Sequence, residues 1–408
     1  PSGWVGGDTV KLIGGSGILQ LSQATTGTVT LDIDKTKSVW PALKNPATYA
    51  SHCVVPGTST TMTCNLVVNA ATAGFGITFP GTSQVACDDS GDILIKACSS
   101  GYAGSSKNLQ FWFAYTDPST TADATRVLQL SKDAWANAVN LATSSPTSTS
   151  APTPVAVTFD GSATARVRVK YADVGKLTLN VRDSAATTVT GSSTLIVRPA
   201  TFVVTGVADM AAVSNPAAVD ATGGKFVAAG MPFKVTAEAR NNCATPGVVK
   251  NFGKEATAEG IKFDRDLVAG LGLTDNPAHT TVTDFAFANG AGTATLSWPE
   301  VGIIKLTPRL KSGSYMGTAD VVGTQSGNVG RFYVHHLDTS ITQGCSLGSF
   351  TYDRQPFPAL TISAKAAGSV ATLTNYQGSS SPAISFAKAV TLTDNTSKGA
   401  VTIGGNAT

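Results

Sequence analysis

The chain has 408 residues and a formal net charge of +3; 13% of its residues are charged and 42% are hydrophobic. The hydrophobic share excludes an intrinsically disordered chain, and the scattered Lys and Arg residues form no basic cluster that would indicate nucleic acid or an anionic membrane surface as a partner. The length favours two to four domains. No run of about 18 apolar residues predicts a membrane span. The sequence starts abruptly at Pro1 without a signal peptide, as a processed or excerpted chain would.

The N-terminal segment contains three features that resemble functional motifs. The Gly-rich stretch 14–21 lacks the helix that phosphate binding needs, so it predicts a turn. Trp4 and Trp40 are candidates for stacking on sugar rings. His52 stands beside Cys53 and could activate a thiolate, but a disulfide explains that cysteine better.

Six cysteines predict three disulfides. Two pairs share a spacing of eleven residues around turn residues, so we favour Cys53–Cys64 and Cys87–Cys98, which leaves Cys243–Cys345. Free buried thiols are the alternative, and the sequence does not choose among the connectivities. No CxxC pair is present, which argues against zinc. Disulfides indicate an oxidising compartment, and the many Ser and Thr residues favour a secreted protein.

Helical periodicity is almost absent from the chain. The best helix candidate is the segment 131–142, with Ser131 as its N-cap. The Ser/Thr/Pro-rich run 143–154 resembles a domain boundary, but we expect a surface loop within the first domain. The segment 155–198 that follows it predicts only closing strands, which could not fold alone.

A motif with an aromatic residue followed by Pro-Phe occurs twice in the second half of the chain. Four matches share an offset of 124 residues: Phe226 with Phe350, Pro232 with Pro356, Phe233 with Phe357, and Asn251-Phe252 with Asn375-Tyr376. Such agreement indicates an internal repeat of one supersecondary unit.

Two further phrases recur at other offsets. In the first, an acidic residue precedes Val-Gly, and the matches at an offset of 127 pair Val174, Gly175, Leu177 and Leu179 with Val301, Gly302, Ile304 and Leu306. In the second, Phe202 matches Phe332 at an offset of 130, and we take both as the start of a unit. We interpret Pro-Phe as the start of an inner strand, Asn-aromatic as part of its neighbour, and Val-Gly-x-Leu as the closing strand.

Alternation of apolar and polar residues, as in "FKVTAEA" and "KLTLNV", predicts antiparallel strands with one buried face. The predicted fold is therefore all-β, with tandem immunoglobulin-like antiparallel β-sandwich domains. We place a β-rich region of one or two sandwiches at 1–198, a second sandwich at 199–329 and a third at 330–408. The third is too short to include its closing strands, so we expect either that the full chain continues or that a partner supplies the strand.

The phrases "DGSATARVRVKYADVGKLTLNV", "STLIVRPATFVV", "SGNVGRFYVHHL" and "FTYDRQPF" resemble the MshQ-type surface proteins of Gram-negative bacteria, as does the aromatic-rich strand after Cys98. The resemblance covers roughly residues 90–390, and the family's N-terminal lectin-like jelly roll is not visible. His336-Leu337 departs from the family's His-aromatic pattern. The resemblance implies Ig-like domains and an extracellular role in adhesion or pilus biogenesis. It brings no catalytic residues.

The remaining histidines and aspartates favour structural roles. Adjacent strand residues point to opposite faces, so His335 and His336 would chelate a metal poorly. The acidic groups do not have the spacing of a calcium loop and predict solvated turns. These groups are Asp88, Asp89 and Asp92, and Asp264 and Asp266. Trp112 and Trp298 lie in alternating strands, where we expect core packing.

These observations favour a non-enzymatic protein of the bacterial cell surface, without cofactors, that is adhesive and associated with a pilus. Its expected partners are itself, other pilus or surface proteins, and host or surface glycans. One alternative is a subunit that polymerises into an extracellular filament by strand donation. The other is a carbohydrate-binding module.

Overall fold

The computed structural model describes residues 74–133, 135–143, 154–270, 285–345, 350–352, 354–356 and 358–392, together with the backbone of six short strands between residues 4 and 68. The six strands are β1 (Trp4–Val5), β2 (Ser22–Gln23), β3 (Gly27–Thr30), β4 (Cys53–Val54), β5 (Thr61–Met62) and β6 (Asn65–Val68). They pair as β1 with β2, β3 with β6, and β4 with β5. Helix in the described residues is limited to three 3₁₀ turns, which are Ser100–Tyr102, Tyr315–Gly317 and Pro382–Ile384.

The first sandwich consists of two five-stranded sheets. Its strands are β7 (Phe75–Thr78), β8 (Gln84–Val85), β9 (Ile93–Ala97), β10 (Ser106–Asp117), β11 (Leu128–Ser131), β12 (Val139–Asn140), β13 (Val155–Thr158), β14 (Thr164–Tyr171), β15 (Gly175–Asp183) and β16 (Thr190–Arg198). The strand orders are β13-β10-β15-β16-β8 and β12-β11-β14-β9-β7. The strands after residue 154 therefore pair with those before residue 143, so both segments belong to one sandwich.

The second sandwich has a four-stranded and a three-stranded sheet. Its strands are β17 (Thr201–Asp209), β18 (Pro232–Arg240), β19 (Ile261–Ala269), β20 (Phe287–Ala288), β21 (Ala291–Ser297), β22 (Gly302–Leu310) and β23 (Val329–Phe332). The strand orders are β17-β18-β21-β20 and β19-β22-β23. The third unit contributes a two-stranded sheet of β24 (His336–Thr342) and β25 (Ala359–Lys365).

Period-2 alternation builds the cores, as the sequence predicted. Every second residue of β15 and of β18 is buried, among them Leu177, Leu179, Phe233 and Val235. Each such side chain contributes about 1.5–3 kcal/mol by leaving water. The all-β, Ig-like fold class is confirmed.

The predicted helix over 131–142 is wrong. This part of the chain is a hairpin in which β11 pairs with β12, and β11 also pairs with β14. Ser131 does accept N–H bonds from Asp133 and Trp135, as an N-cap would. The turn does not continue because Leu128 and Leu130 bury as strand residues in the core of the first sandwich.

The match between Phe202 and Phe332 is also wrong. Phe332 pairs with Gly302 in the same way that Val197 pairs with Gly175, so it lies in the last strand of the second sandwich. The structural counterpart of Phe202 is Leu337. Phe202 pairs with Ala239 of β18, and Leu337 pairs with Ala364 at the equivalent place in β25. Strand β23 thus spans the boundary that we predicted at residue 330.

Candidate functional site: the joints between successive sandwiches

The acidic residue of the acid-Val-Gly phrase lies at the joint between the first and second sandwiches. Asp173 is fully buried, and its carboxylate accepts backbone N–H bonds from Lys250 at 3.1 Å and Asn251 at 3.0 Å. It also accepts the N–H of Val174 at 2.9 Å. Burial raises the pKa of Asp173 to about 6, although the three N–H donors favour the charged form and oppose that rise. A carboxylate of the first sandwich therefore binds the backbone of the second.

The Asn251 side chain completes this contact, which we call the first joint. Its Nδ2 donates to the hydroxyl of Tyr171 at 3.0 Å and to the carbonyl of Val174 at 3.3 Å. Its Oδ1 accepts the N–H of Asp123 at 2.6 Å. Asn251 is fully buried, so these bonds replace the water that it loses.

The second joint repeats this arrangement between the second sandwich and the third unit. Glu300 is buried, and its carboxylate accepts the N–H of Thr374 at 2.7 Å and that of Asn375 at 3.2 Å. It also accepts the Thr374 hydroxyl at 2.8 Å and the N–H of Val301 at 3.3 Å. Asn375 Nδ2 donates to the carbonyl of Val301 at 3.4 Å. Both joints therefore use an acid-Val segment on one side and an Asn-aromatic turn on the other.

The glycine of the phrase allows the chain to approach a neighbouring strand. Gly175 and Gly302 have φ of +126° and +134°, a region that favours glycine. A Cβ at Gly175 would lie 2.6 Å from the carbonyl oxygen of Asp117, and one at Gly302 would lie 2.5 Å from that of Ala269. Any side chain here would push the strand after the acid away from its neighbour.

A disulfide between Cys87 and Cys243 joins the first sandwich to the second. The two cysteines are 156 positions apart in the sequence, and their Cα atoms lie 5.1 Å apart. Beside them, Asn242 donates its backbone N–H to the carbonyl of Ala86 at 3.0 Å. Its side-chain amide donates to Asp88 at 2.7 Å. The first joint is thus covalent as well as hydrogen-bonded.

This disulfide corrects the predicted pairs Cys87–Cys98 and Cys243–Cys345. Cys98 is free and exposed, and Cys345 is free and half-buried. Cys98 follows β9, whose extended backbone carries it away from Cys87, so equal spacing does not bring them together. The predicted pair Cys53–Cys64 lies outside the described side chains.

We predicted that the repeated Asn-aromatic phrase is part of a neighbouring strand. The structure shows that it is a turn. Residues 250–253 form this turn, and Phe252 points from it into the second sandwich, 5.2 Å from Phe202 between ring centroids. The turn is held away from the sheets because its backbone N–H groups bond to Asp173 of the first sandwich. The sequence did contain a signal, since the acid and the Asn-aromatic pair recur in both units.

The other aromatic residues of the repeat divide between core and surface. Phe233 and Phe332 are buried, with ring centroids 5.4 Å apart, and the half-buried Phe226 contacts both. Pro232, at the start of β18, is half-buried. Their predicted counterparts in the third unit differ.

In that unit, Phe350 is 48% exposed and Pro356 is exposed, so the expectation that they lie in a core is wrong. The only described sheet of the third unit has two strands, and the described residues form no second sheet there to cover them. Phe357 lies outside the described residues. Tyr376 is half-buried against the small apolar cluster around Val301 and Ile303.

The polar candidates do not form a site. His335 and His336 are exposed, and their Nδ1 atoms lie 2.9 Å apart, so they do not point to opposite faces as predicted. His335 precedes β24, which leaves its side chain free to turn towards its neighbour. His52 and His279 lie outside the described side chains. Among the residues that the structure describes, no group of three His, Cys, Asp or Glu could hold a metal ion.

Asp264 and Asp266 lie in strand β19, so the prediction of a solvated turn is wrong for them. The acidic groups pair mainly with arginine. Asp89 and Asp92 contact Arg168 at 3.3 Å and 2.8 Å, and Asp264 contacts Arg309 at 3.0 Å. Asp266 accepts a bond from Gln325 instead.

The two tryptophans expected in a core differ in burial. Trp298 is buried against Phe332, as predicted. Trp112 is only half-buried, because the neighbouring Phe111 and Phe113 occupy the core face of β10. The side chains of Trp4 and Trp40 lie outside those described.

No helix in the described part of the chain is long and apolar enough to cross a membrane.

Solved structures that match part of the chain at low identity include an adhesin, an intimin fragment and invasin. FdeC, an adhesin of Escherichia coli, matches with 11% identity and a TM-score of 0.31, covering 64% of this chain and 68% of that one. A C-terminal fragment of intimin, solved with the translocated intimin receptor, matches with 11% identity and a TM-score of 0.28, covering 66% and 67%. Invasin, a bacterial integrin-binding protein, matches with 12% identity and a TM-score of 0.22, covering 74% and 48%. No curated protein matches the chain.

Three profiles of one family match the chain in order. The first Ig-like domain of DUF6701, a domain of unknown function, matches residues 50–195, and the second DUF6701 domain matches 198–297. The third DUF6701 domain matches 300–406, so its start includes β22 and β23, which pair within the second sandwich. The chain is therefore built from the first, second and third DUF6701 domains in succession.

Proposed function

We propose that this protein is a non-enzymatic, extracellular structural protein of the bacterial cell surface, associated with a pilus, that holds an adhesive contact surface away from the cell. The observation that carries the proposal is the pair of repeated joints. Each buries a carboxylate that binds backbone N–H groups of the next unit, and at the first joint a disulfide adds to these bonds and fixes the direction of the two sandwiches. A spacer needs this property, because flexible connections would let it fold back on itself.

Two further observations support the proposal. The Cys87–Cys243 disulfide favours an oxidising, extracytoplasmic compartment. The buried acids are used for structure, since Asp173 and Glu300 bind the joints and Glu255 accepts bonds from Tyr315 and from the N–H of Gly253.

The test is surface labelling and attachment in the source bacterium. A membrane-impermeant biotin reagent should label the protein on intact cells, and deletion of the gene should reduce attachment to surfaces under flow. Complementation with the native gene or with Asp338→Ala, which changes an exposed acid, should restore attachment. Complementation with Asp173→Ala should restore it only in part. Absence of labelling, or attachment unchanged by the deletion, would refute the proposal.

A second candidate function is a filament subunit completed by strand donation between copies. The face of β24 and β25 that carries Leu337, Ile341 and Leu360 is exposed by 38–53% at these residues. The equivalent face of the second sandwich, with Phe202 and Ala239, is buried. A donated strand would bury the apolar face in the same way.

Electron microscopy of purified protein tests this candidate. Filaments should form and should disappear in Ile341→Lys, whereas Thr342→Lys, on the opposite face of the same strand, should leave them intact. Native protein that remains monomeric at every concentration would exclude it. The carbohydrate-binding hypothesis rests on Trp4 and Trp40 and stays a prediction.

A further inference from the structure

The backbone contacts of the two joints match residue by residue beyond the acids. In the first joint, the carbonyl of Ala86 accepts the N–H of Asn242 at 3.0 Å. In the second, the carbonyl of Ala229 accepts the N–H of Ala367 at 2.8 Å. These two bonds connect equivalent turns of one unit to the same loop of the next, since each acceptor follows a residue in parallel pairing, Val85 or Ala228.

The residue after each acceptor also has the same contacts. Cys87 donates its N–H to the carbonyl of Tyr171 at 2.7 Å, and Gly230 donates its N–H to that of Trp298 at 2.7 Å. Tyr171 and Trp298 hold equivalent places, two residues before the joint acids Asp173 and Glu300. The φ angles agree as well, at 72° for Cys87 and 81° for Gly230. Gly230 is therefore the counterpart of Cys87.

The second cysteine has a glycine counterpart too. Cys243 follows Asn242, and Gly368 follows Ala367, whose N–H makes the matching bond. The second joint thus has Gly230 and Gly368 where the first joint has the disulfide. A Cβ at Gly368 would meet no atom within 4 Å, so this position has room for a side chain, although its φ of +65° favours glycine and Cys243 does not share it.

We infer that the two joints are versions of one docking interface and that only the first is closed by a disulfide. The third unit therefore undocks from the second sandwich while the first two sandwiches remain attached. The Cys87–Cys243 bond keeps the two halves of the first joint together whenever its hydrogen bonds break. The second joint has only its hydrogen bonds and packing, and nothing in the described residues links its halves covalently. This inference concerns how the units are held and stands whether or not the protein is adhesive.

Amide hydrogen exchange on the full native chain tests the inference directly. The N–H groups of Asn251 and Asn375 bond to equivalent acids, so they report opening of the first and second joints. Exchange at Asn375 should be at least tenfold faster than at Asn251 in the oxidised protein. Reduction of the Cys87–Cys243 disulfide with a dithiol should raise the rate at Asn251 towards that of Asn375. Equal rates in the oxidised protein would overturn the inference.

A cysteine pair at the two glycines provides a gain-of-function test. In the variant Gly230→Cys/Gly368→Cys, two thiols should form a disulfide with oxidised glutathione, which takes up two electrons and two protons to become two reduced glutathiones. The cross-link should appear by peptide mapping without denaturant, and exchange at Asn375 should slow at least tenfold. The single variant Gly368→Cys is the matched control and should leave exchange at Asn375 within threefold of native, because a Cβ there would meet no atom within 4 Å.

A Cβ at Gly230 would lie 2.7 Å from the carbonyl oxygen of Ala367, so this substitution requires a small backbone shift. The exchange comparison on the native chain does not depend on that shift. A double variant that folds but does not cross-link, or that cross-links without slowing exchange at Asn375, would overturn the equivalence of the two joints.

Discussion

Replacement of Asp173 by alanine should destabilise the first joint by an amount that depends on pH. The buried N–H groups of Val174 and Asn251 would lose their acceptor, at about 1–3 kcal/mol each, or roughly 4 kcal/mol together. At pH 7 the native protein carries an opposing cost, because burial raises the pKa of Asp173 to about 6. A shift of two pKa units corresponds to about 3 kcal/mol, so the net loss at pH 7 is only about 1 kcal/mol.

The direction of this pH dependence follows from proton binding. The folded protein binds the Asp173 proton more tightly than the unfolded chain does. The contribution of Asp173 to stability is therefore greatest below pH 4, falls between pH 4 and about 6, and is constant above that range. Asp173→Ala should consequently cost about 3–4 kcal/mol at pH 4 and about 1 kcal/mol at pH 7.

Urea unfolding at the two pH values measures this difference, with tryptophan fluorescence, to which the buried Trp298 contributes, as the signal. Subtracting the native values at each pH removes the contributions of other titrating groups. Asp338→Ala, at an exposed acid, should change the free energy of unfolding by less than about 0.5 kcal/mol at both pH values. Equal destabilisation by Asp173→Ala at pH 4 and pH 7, or a larger effect at pH 7, would refute the reasoning.

Three further predictions concern the stability of the first two sandwiches, measured by urea unfolding. Cys87→Ser should lower the free energy of unfolding by up to about 5 kcal/mol, because the disulfide joins residues 156 positions apart and restricts the unfolded chain. Native protein in reducing agent should have the same stability as the variant, and an unchanged free energy of unfolding would contradict this. Gly175→Ala should lower the free energy of unfolding by several kcal/mol more than Gly313→Ala does. Gly313 also has a positive φ, but a Cβ there would meet no atom within 4 Å, so similar losses would exclude the close approach of Gly175 to Asp117 as the cause. Leu177→Ala should cost about 2–5 kcal/mol, against less than about 0.5 kcal/mol for the exposed Val219→Ala, and equal losses would place Leu177 outside the core.

The strands were predictable because their signal is local. In β18, alternation alone identifies Phe233 and Val235 as core residues, and the structure buries both. The same pattern predicts β15. The error over 131–142 arose because Ser131 forms a real cap, a local feature that helices and turns share, while pairing of β11 with β14 is decided by distant residues.

The joints were not predictable from local patterns, because they depend on contacts between domains. The repeat of the acid-Val-Gly phrase was visible, but a charged residue next to a strand usually indicates a solvated turn. Only the fold places Asp173 against Asn251, which is in the next sandwich. The disulfide was not predictable for the same reason, since Cys87 and Cys243 come together through the docking of two domains and not through sequence spacing.

Residual dipolar couplings of the full chain test the central claim most directly, which is that the first joint fixes two sandwiches as one body. The backbone N–H couplings of β14 and β15 and those of β17 and β18 should fit a single alignment tensor of common magnitude and orientation. Two tensors of different magnitude for the two sandwiches would show that they move independently, and would contradict the account.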